Sequence, residues 1–215
     1  FRTLWAARRS SQPAISCEMA AIQGSDVLQL KRLRGSVVND TLASDRFYGQ
    51  LNLNELHFFA GGHVAPPIAG GRIYEYQHRV YYVKHNANSI PTLYRHSLSS
   101  TALMGVAEPL VEGVEIMRFE FGIDTNGDSA VDTYLKTSDV TDSLWDQHRD
   151  AEIISVQVHL LLRAFQQDSA FKAGVTRTYP MPGGTVSVPD DGYRRKQVST
   201  TVVIRNPWLK TAGGT

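Results

Sequence analysis

The feature that most constrains the fold is an alternation of apolar and polar side chains with a period of two residues. It is clearest over residues 153–165, where every second position is apolar: Ile154, Val156, Val158, Leu160 and Leu162. Side chains two residues apart lie on the same face of a strand, whereas a helix would scatter them around its axis. We therefore predict a central strand of an antiparallel sheet, with Ser155, Gln157, His159 and Arg163 on the opposite face.

The same pattern predicts strands at residues 26–33, 72–83, 115–121 and 197–206. In the segment 115–121, Met117, Phe119 and Phe121 alternate with Ile116, Arg118 and Glu120, which predicts one buried face and one solvated face. Segments 60–71 and 179–192 are rich in Gly and Pro and are predicted to be loops. Helix is indicated only at residues 1–12, as the end of a helix that began upstream. We predict a single α+β, mainly β, domain over residues 1–215.

The charges exclude some classes of partner. Lys and Arg number 22 and Asp and Glu 21, so no excess of basic charge favours direct nucleic-acid binding. The local cluster Arg194, Arg195 and Lys196, together with Arg205, is interpreted as a solvated strand edge. Cys17 is the only cysteine and cannot form an internal disulfide. The chain has no initiator Met and no apolar run long enough to span a membrane, so we expect it to be a fragment whose natural N-terminus has been removed.

No pattern of residues indicates catalysis. The sequence contains no G-x-S-x-G elbow, Walker loop, H-E-x-x-H or C-x-x-C motif. Seven histidines are scattered without the spacing of metal ligands. We predict that the protein is not an enzyme and has no catalytic residues.

One acidic loop, at residues 124–132, has the spacing of a calcium loop. Ca²⁺ is bound by six to eight oxygens, and alternate positions of a loop supply them. The candidate ligands are Asp124, Asn126, Asp128, the carbonyl of Ala130, and Asp132. An EF-hand has Gly at its sixth and Glu at its twelfth position, where this chain has Ser129 and Leu135. Any calcium site would be a loop-only variant, completed by a carboxylate such as Asp139 or Asp142.

The alternative for this loop is a β-hairpin turn without a metal. The dipeptide Asn126-Gly127 is typical of such turns, and aspartates favour turn conformations through hydrogen bonds to the backbone. The sequence favours neither interpretation over the other.

Several segments together resemble one family. Residues 109–135, which read PLVEGVEIMRFEFGIDTNGDSAVDTYL, resemble the strand and acidic loop of PilW-like minor pilins of type IV pili. Residues 24–33, 90–95, 154–164 and 193–207 resemble other blocks of that family in the same order. The family's N-terminal hydrophobic helix is absent, and Ser129 stands where the family often has Gly.

The resemblance implies a type IV pilin-like fold, in which an antiparallel β-sheet packs on an N-terminal helix that is truncated here. It implies a non-catalytic minor pilin that joins other minor pilins, the major pilin and a large adhesin-like tip protein to initiate pilus assembly. It also implies an inner-membrane anchor through the missing helix, a periplasmic globular domain, and a later position in the pilus tip of a Gram-negative bacterium, with roles in adhesion or twitching motility.

Two other functions are consistent with the sequence. A minor pseudopilin of a type II secretion system would share the fold and the priming role, but would serve an exporter. A calcium-dependent adhesive or carbohydrate-binding β-domain would need exposed aromatic residues near the acidic loop, for which Tyr134 and Trp145 are the candidates.

Overall fold

Antiparallel strands form most of the chain in the computed structural model, which describes residues 2–15, 20–101, 103–146, 151–171 and 175–204. A single α-helical turn, α1 (Asp142–Trp145), and two 3₁₀ turns (Thr137–Asp139 and Ser169–Phe171) are the helical elements of this part. The strands are β1 (Leu4–Arg8), β2 (Asp26–Val37), β3 (Phe47–Leu51), β4 (Leu56–Ala60), β5 (Arg72–His85), β6 (Pro91–Ser99), β7 (Leu103–Met104), β8 (Glu108–Glu112), β9 (Val114–Asp124), β10 (Thr133–Lys136), β11 (Glu152–Gln167), β12 (Arg177–Tyr179), β13 (Val186–Val188) and β14 (Tyr193–Val203). The mainly β prediction is confirmed.

The larger sheet is organised around the long strand β5. One edge of β5 pairs with β2, which in turn pairs with β1. Two strands share the other edge: β3 pairs with residues 72–76 and β6 with residues 79–85. Strand β4 extends the sheet beyond β3, while β7 and β8 pair with β6.

The smaller sheet has the strand order β10-β9-β11-β14. Strand β11 pairs with β9 on one side and β14 on the other, which confirms the central position predicted from its alternation. The pairing of β11 with β9 shifts register twice: between Ile153 and Ser155, where Ile154 is an extra residue in a β-bulge, and between Leu161 and Leu162.

The main core lies between the two sheets. The larger sheet contributes Leu4, Ala6 and Val83, and the smaller sheet contributes mainly β9 and β11 side chains: Val114, Met117, Phe119, Phe121, Ile123, Ile153 and Val156. Trp145 of α1 closes this core with its ring edge-on to Phe121, at a centroid distance of 4.9 Å. Aromatic pairs of this geometry add stability beyond the area that they bury.

The outer face of β9 is covered as well, which contradicts the prediction of a solvated face there. A short hairpin of β12 and β13 packs Met181 and Val188 onto Ile116 and Leu161. Arg118 is 7% exposed beneath the same hairpin, because its guanidinium donates to the carbonyls of Gly24, Pro182 and Gly184. The segment 179–192, predicted as a loop, thus contains the strand that covers this sheet.

The prediction of helix at the start of the chain is wrong for β1. Leu4 and Ala6 are buried with a period of two, and Leu4–Arg8 pairs with β2. Arg8 at the end of β1 forms an ion pair with Asp26, which is fully buried and also accepts hydrogen bonds from the Phe119 amide (3.0 Å) and the Thr137 hydroxyl (2.6 Å). Cys17 and the predicted strand end at residues 205–207 lie outside the described residues.

Candidate functional site

The acidic loop lies between β9 and β10, at one end of the smaller sheet. Strand β9 ends at Asp124, and the two strands meet again where Thr133 pairs with Ile123. Asp124 is buried, and its carboxylate accepts three backbone N–H groups: Asn126 (3.1 Å), Gly127 (2.6 Å) and Ser129 (2.8 Å). Aspartate commonly closes a turn in this way, by accepting hydrogen bonds from the residues that follow it.

The remaining acidic residues continue this pattern. The Asn126 side-chain oxygen accepts the Asp128 amide (2.9 Å), and the Asp128 carboxylate accepts the Ala130 amide (2.8 Å). Asp132 closes the loop by accepting both the amide (2.7 Å) and the hydroxyl (2.6 Å) of Thr125. All five predicted ligand positions therefore lie in one hydrogen-bonded loop.

Hydrogen bonding keeps two of these carboxylates ionised at lower pH than usual. Burial of Asp124 acts to raise its pKa, but the N–H donors of Ser129, Gly127 and Asn126 outweigh that effect, and the pKa is lowered. The pKa of Asp132 is lowered chiefly by the Thr125 hydroxyl and then by the Thr125 amide. Both groups are therefore anionic at neutral pH.

The loop only partly fits a calcium ion. Its oxygen donors are of the type that Ca²⁺ prefers. However, the Asn126 side-chain nitrogen lies between Asp128 (3.2 Å) and Asp132 (3.4 Å), where it donates to both carboxylates in place of a cation. No group of three or more His, Cys, Asp or Glu side chains within the described ranges has the arrangement of a metal site. Calcium binding stays a prediction.

Four residues expected to assist this loop lie elsewhere or are only partly available. Asp139 pairs with Lys136 (3.4 Å) and Asp142 with Arg2 (2.9 Å), so neither carboxylate joins the loop. Tyr134 is partly exposed, but Trp145 is buried in the main core and cannot form a surface for sugar binding. The aromatic feature that a carbohydrate-binding domain would need is thus reduced to one residue.

The strand edges are a second candidate for function. Strand β14 is an edge of the smaller sheet, and no described strand pairs with its outer side. Its last two residues, Val202 and Val203, are 53% and 68% exposed. Strand β4 is likewise an edge of the larger sheet and exposes Leu56 and Phe58. Exposed edges with apolar side chains accept additional strands from other chains.

The basic cluster on β14 is not simply a solvated edge, as the sequence had suggested. The Arg195 side chain is only 2% exposed and forms ion pairs with Glu115 (2.5 Å) and Asp191 (2.7 Å). The hydrogen bond that Arg195 donates to Asp191 is the main cause of the lowered pKa of Asp191, which falls to about 2. Arg194 pairs with Asp168 at the surface (2.6 Å). Sequence alternation missed the burial of Arg195 because its acidic partners come from β9 and from the turn before β14.

Comparison with known proteins identifies the family. The model of the family PilW, described as type IV pilus-assembly protein W, matches residues 80–206, more than half of the 215 residues of the chain. No curated protein and no solved structure matches the chain. The matched region begins within β5 and includes β9, the acidic loop, β11 and the exposed edge of β14. The chain belongs to the PilW family of type IV pilus-assembly proteins.

Proposed function

We propose that this protein is a minor pilin that joins other minor pilins, the major pilin and a large adhesin-like tip protein in the complex that initiates type IV pilus assembly. Membership of the PilW family supports a role in pilus assembly. The more specific role, as a subunit that primes assembly, is our proposal and goes beyond what family membership supports. In this role the protein acts as a template for subunit addition and catalyses no reaction.

The observation that carries the proposal is the free edge of β14. It is 11 residues long, it lies entirely within the region that the family model matches, and its outer side has no partner among the described strands. A neighbouring subunit could extend the smaller sheet there by adding a strand, with main-chain hydrogen bonds giving affinity and the exposed valines giving specificity. A non-catalytic subunit that binds its neighbours needs an exposed surface of this kind.

The proposed location follows from the same role. A pilus-assembly protein works in the cell envelope, and we propose an inner-membrane anchor, a periplasmic globular domain and a final position at the pilus tip. The anchor would be an apolar helix on the N-terminal side of these residues. Among the helices of the described residues, none is long and apolar enough to cross a membrane.

The first test is genetic. Deletion of the gene should abolish surface pili and twitching, as counted by electron microscopy and motility assays, and the wild-type gene should restore both. Normal piliation together with failed secretion of exoproteins would instead identify a pseudopilin of a type II secretion system. Glycan binding that chelator abolishes, with normal piliation, would identify the adhesive β-domain.

The second test addresses the β14 edge. The double substitution Val202→Lys and Val203→Lys places charge on the edge, which disfavours strand addition. Because both side chains are exposed, the folded state should change in stability by only about 0.5 kcal/mol per site. Pili should fall to the level of the deletion strain. The matched control is Val64→Lys, at a loop residue that is 95% exposed, which should leave piliation normal. Normal piliation in the double variant would refute the role of this edge.

A further inference from the structure

A polar cleft opens in the larger sheet where two strands diverge. Strands β3 and β6 share one edge of β5, but neither of them pairs with Gln77 or His78. The gap between the two strands leaves a cleft of about 240 Å³. We call it the arginine cleft, and define it by Arg46, Glu75, Gln77, Arg79, Ser97 and Ser99.

The cleft and its rim carry more positive than negative charge. Glu75 accepts from Arg46 (3.0 Å) and Arg34 (3.4 Å), so one carboxylate serves two guanidinium groups. Arg32 donates to the Gln77 side-chain oxygen (3.2 Å), and the Gln77 amide donates to Glu75 (3.2 Å). These contacts hold the cations in place without neutralising all of them.

Arg79 and Ser97 are the groups that this network leaves available. They face each other across the β5–β6 pairing, and Arg79 is half-buried. Neither the Arg79 guanidinium nor the Ser97 hydroxyl has a hydrogen-bond or ion-pair partner in the part of the chain that the structure describes. A guanidinium has five N–H donors in a planar fork, which matches the two oxygens of a carboxylate. The cleft thus presents a guanidinium and a hydroxyl, neither of which has a side-chain partner among the described residues.

We propose that the arginine cleft binds a carboxylate side chain on an acidic segment of a neighbouring pilus subunit, with Arg79 as its main contact. This inference rests on the proposed function, which supplies the neighbouring subunit. It goes beyond that function by naming the surface and the chemistry that is recognised.

The size and charge of the cleft favour a protein carboxylate over other anions. Its volume is below the roughly 300–1,000 Å³ typical of small-molecule pockets, so it suits one side chain better than a whole metabolite. Glu75 and Asp45 also line it, and two carboxylates would repel a nucleic-acid backbone with its closely spaced phosphates. A single carboxylate approaching Arg79 meets less repulsion.

A titration of the purified protein tests the cleft directly. The probe is an acetylated and amidated Gly-Glu-Gly peptide, followed by nuclear magnetic resonance at the Arg79 side chain and at the backbone amides of Gln77 and Ser97. These signals should shift and saturate with the glutamate peptide, and should not move with the matching Gly-Gln-Gly peptide. Absence of shifts, or equal shifts with both peptides, would overturn the proposal. Tighter binding of a thymidine octanucleotide at the same signals would identify a nucleic-acid site instead.

Two variants distinguish binding in the cleft from a non-specific effect of net charge. Arg79→Gln should weaken binding of the glutamate peptide by about tenfold, read at Gln77 and Ser97, because a charge-assisted bidentate contact is lost. Arg72→Gln removes the same charge from the same strand, but residues 72 and 79 lie on opposite faces of β5, so it should leave binding unchanged. Equal weakening by both variants would show that only net charge matters.

A cross-linking experiment in the cell identifies the occupant. A photoreactive residue at Gln77 should form a cross-link to a pilus subunit next to an Asp or Glu, and Arg79→Gln should reduce its yield. A cross-link that maps to a segment without acidic residues would overturn the proposal. The titration does not depend on piliation, so a positive titration with normal piliation in the deletion strain would refute only the role in pilus assembly. A negative titration with lost piliation would refute only the arginine cleft.

Discussion

The two halves of β5 belong to one strand but serve different purposes. The inner half, residues 80–85, includes Val80, Tyr82 and Val83, which are almost completely buried. The outer half, residues 72–79, has no buried residue and pairs with β3, beyond which β4 exposes Leu56 and Phe58. The inner half is covered by other parts of the chain, whereas the outer half extends the sheet away from the core.

The two halves therefore differ in what they contribute to stability and to recognition. Apolar burial contributes stability roughly in proportion to the area removed from water, so the inner half and the smaller sheet should supply most of it. The outer half keeps apolar and charged side chains at the surface, where they contribute little to folding and remain available to partners. Matched substitutions in the two regions test this division.

The largest expected effect comes from truncating an aromatic residue in the core. Phe121→Ala should lower the free energy of unfolding by about 3–5 kcal/mol, because it removes a fully buried ring and its contact with Trp145. Phe58→Ala, at a ring that is 46% exposed and contacts Tyr76, should cost only about 1 kcal/mol. Denaturant unfolding of both variants measures the two losses in free energy of unfolding. Equal losses would contradict the division of β5 and its neighbours into two regions.

The next effect concerns the buried carboxylate that links both sheets. Asp26→Asn should cost about 3 kcal/mol, because it removes the fully buried carboxylate that pairs with the partly buried Arg8 and accepts from the Phe119 amide and the Thr137 hydroxyl. The same substitution at exposed Asp40 should change stability by less than about 0.5 kcal/mol. Urea unfolding measures both losses, from the change in the midpoint concentration at an unchanged m-value. A loss below about 1 kcal/mol for Asp26→Asn would show that the pair stabilises the native state little.

A smaller effect is expected from the ion pair beneath β14. The folded-state pKa of Asp191 is depressed to about 2 from its usual 3.8, so this carboxylate stabilises the protein above about pH 4. Asp191→Asn should cost about 1 kcal/mol at pH 7, an amount reduced by solvent screening of the partly exposed carboxylate. The difference from wild type should disappear as the pH falls from 4 through 2, because protonation removes the charge in both states.

The outer half offers a control for that ion pair. Glu75→Gln removes a carboxylate whose partners Arg34 and Arg46 are at least half exposed, so it should cost about 0.5 kcal/mol or less at pH 7. A larger loss than for Asp191→Asn would show that the outer half contributes more stability than its exposure indicates.

The smallest effect concerns calcium and the acidic loop. If the predicted site binds Ca²⁺, the ion should raise stability by about 0.4 kcal/mol when its free concentration equals Kd, which corresponds to about 1 °C in Tm. Calorimetric titration of the apo protein measures the binding heat, and Asp128→Ala should abolish it. No heat and no change in Tm would leave the loop as a hairpin turn closed by its own hydrogen bonds.

Sequence reasoning succeeded where local pattern decides the structure. The alternation in residues 153–165 predicted the central strand β11, and Asn126-Gly127 lies in the turn between β9 and β10. It failed at β1, because a few residues with Leu4 and Ala6 fit either a helix end or a strand until β2 is available as a partner. It also failed at Arg118, because a distant hairpin supplies the carbonyls that allow a cation to be buried.

The strand content, the acidic loop and the resemblance to PilW-like pilins can be recognised from the sequence, since each depends on residues close together in the chain. Which faces are buried, which edges are free and which charges meet depends on how distant strands pair and pack. Arg46, Arg79 and Ser97 are far apart in the sequence, and they line one cleft only because β3 and β6 share the same edge of β5. Pairing between distant strands creates such sites, and no local pattern records it.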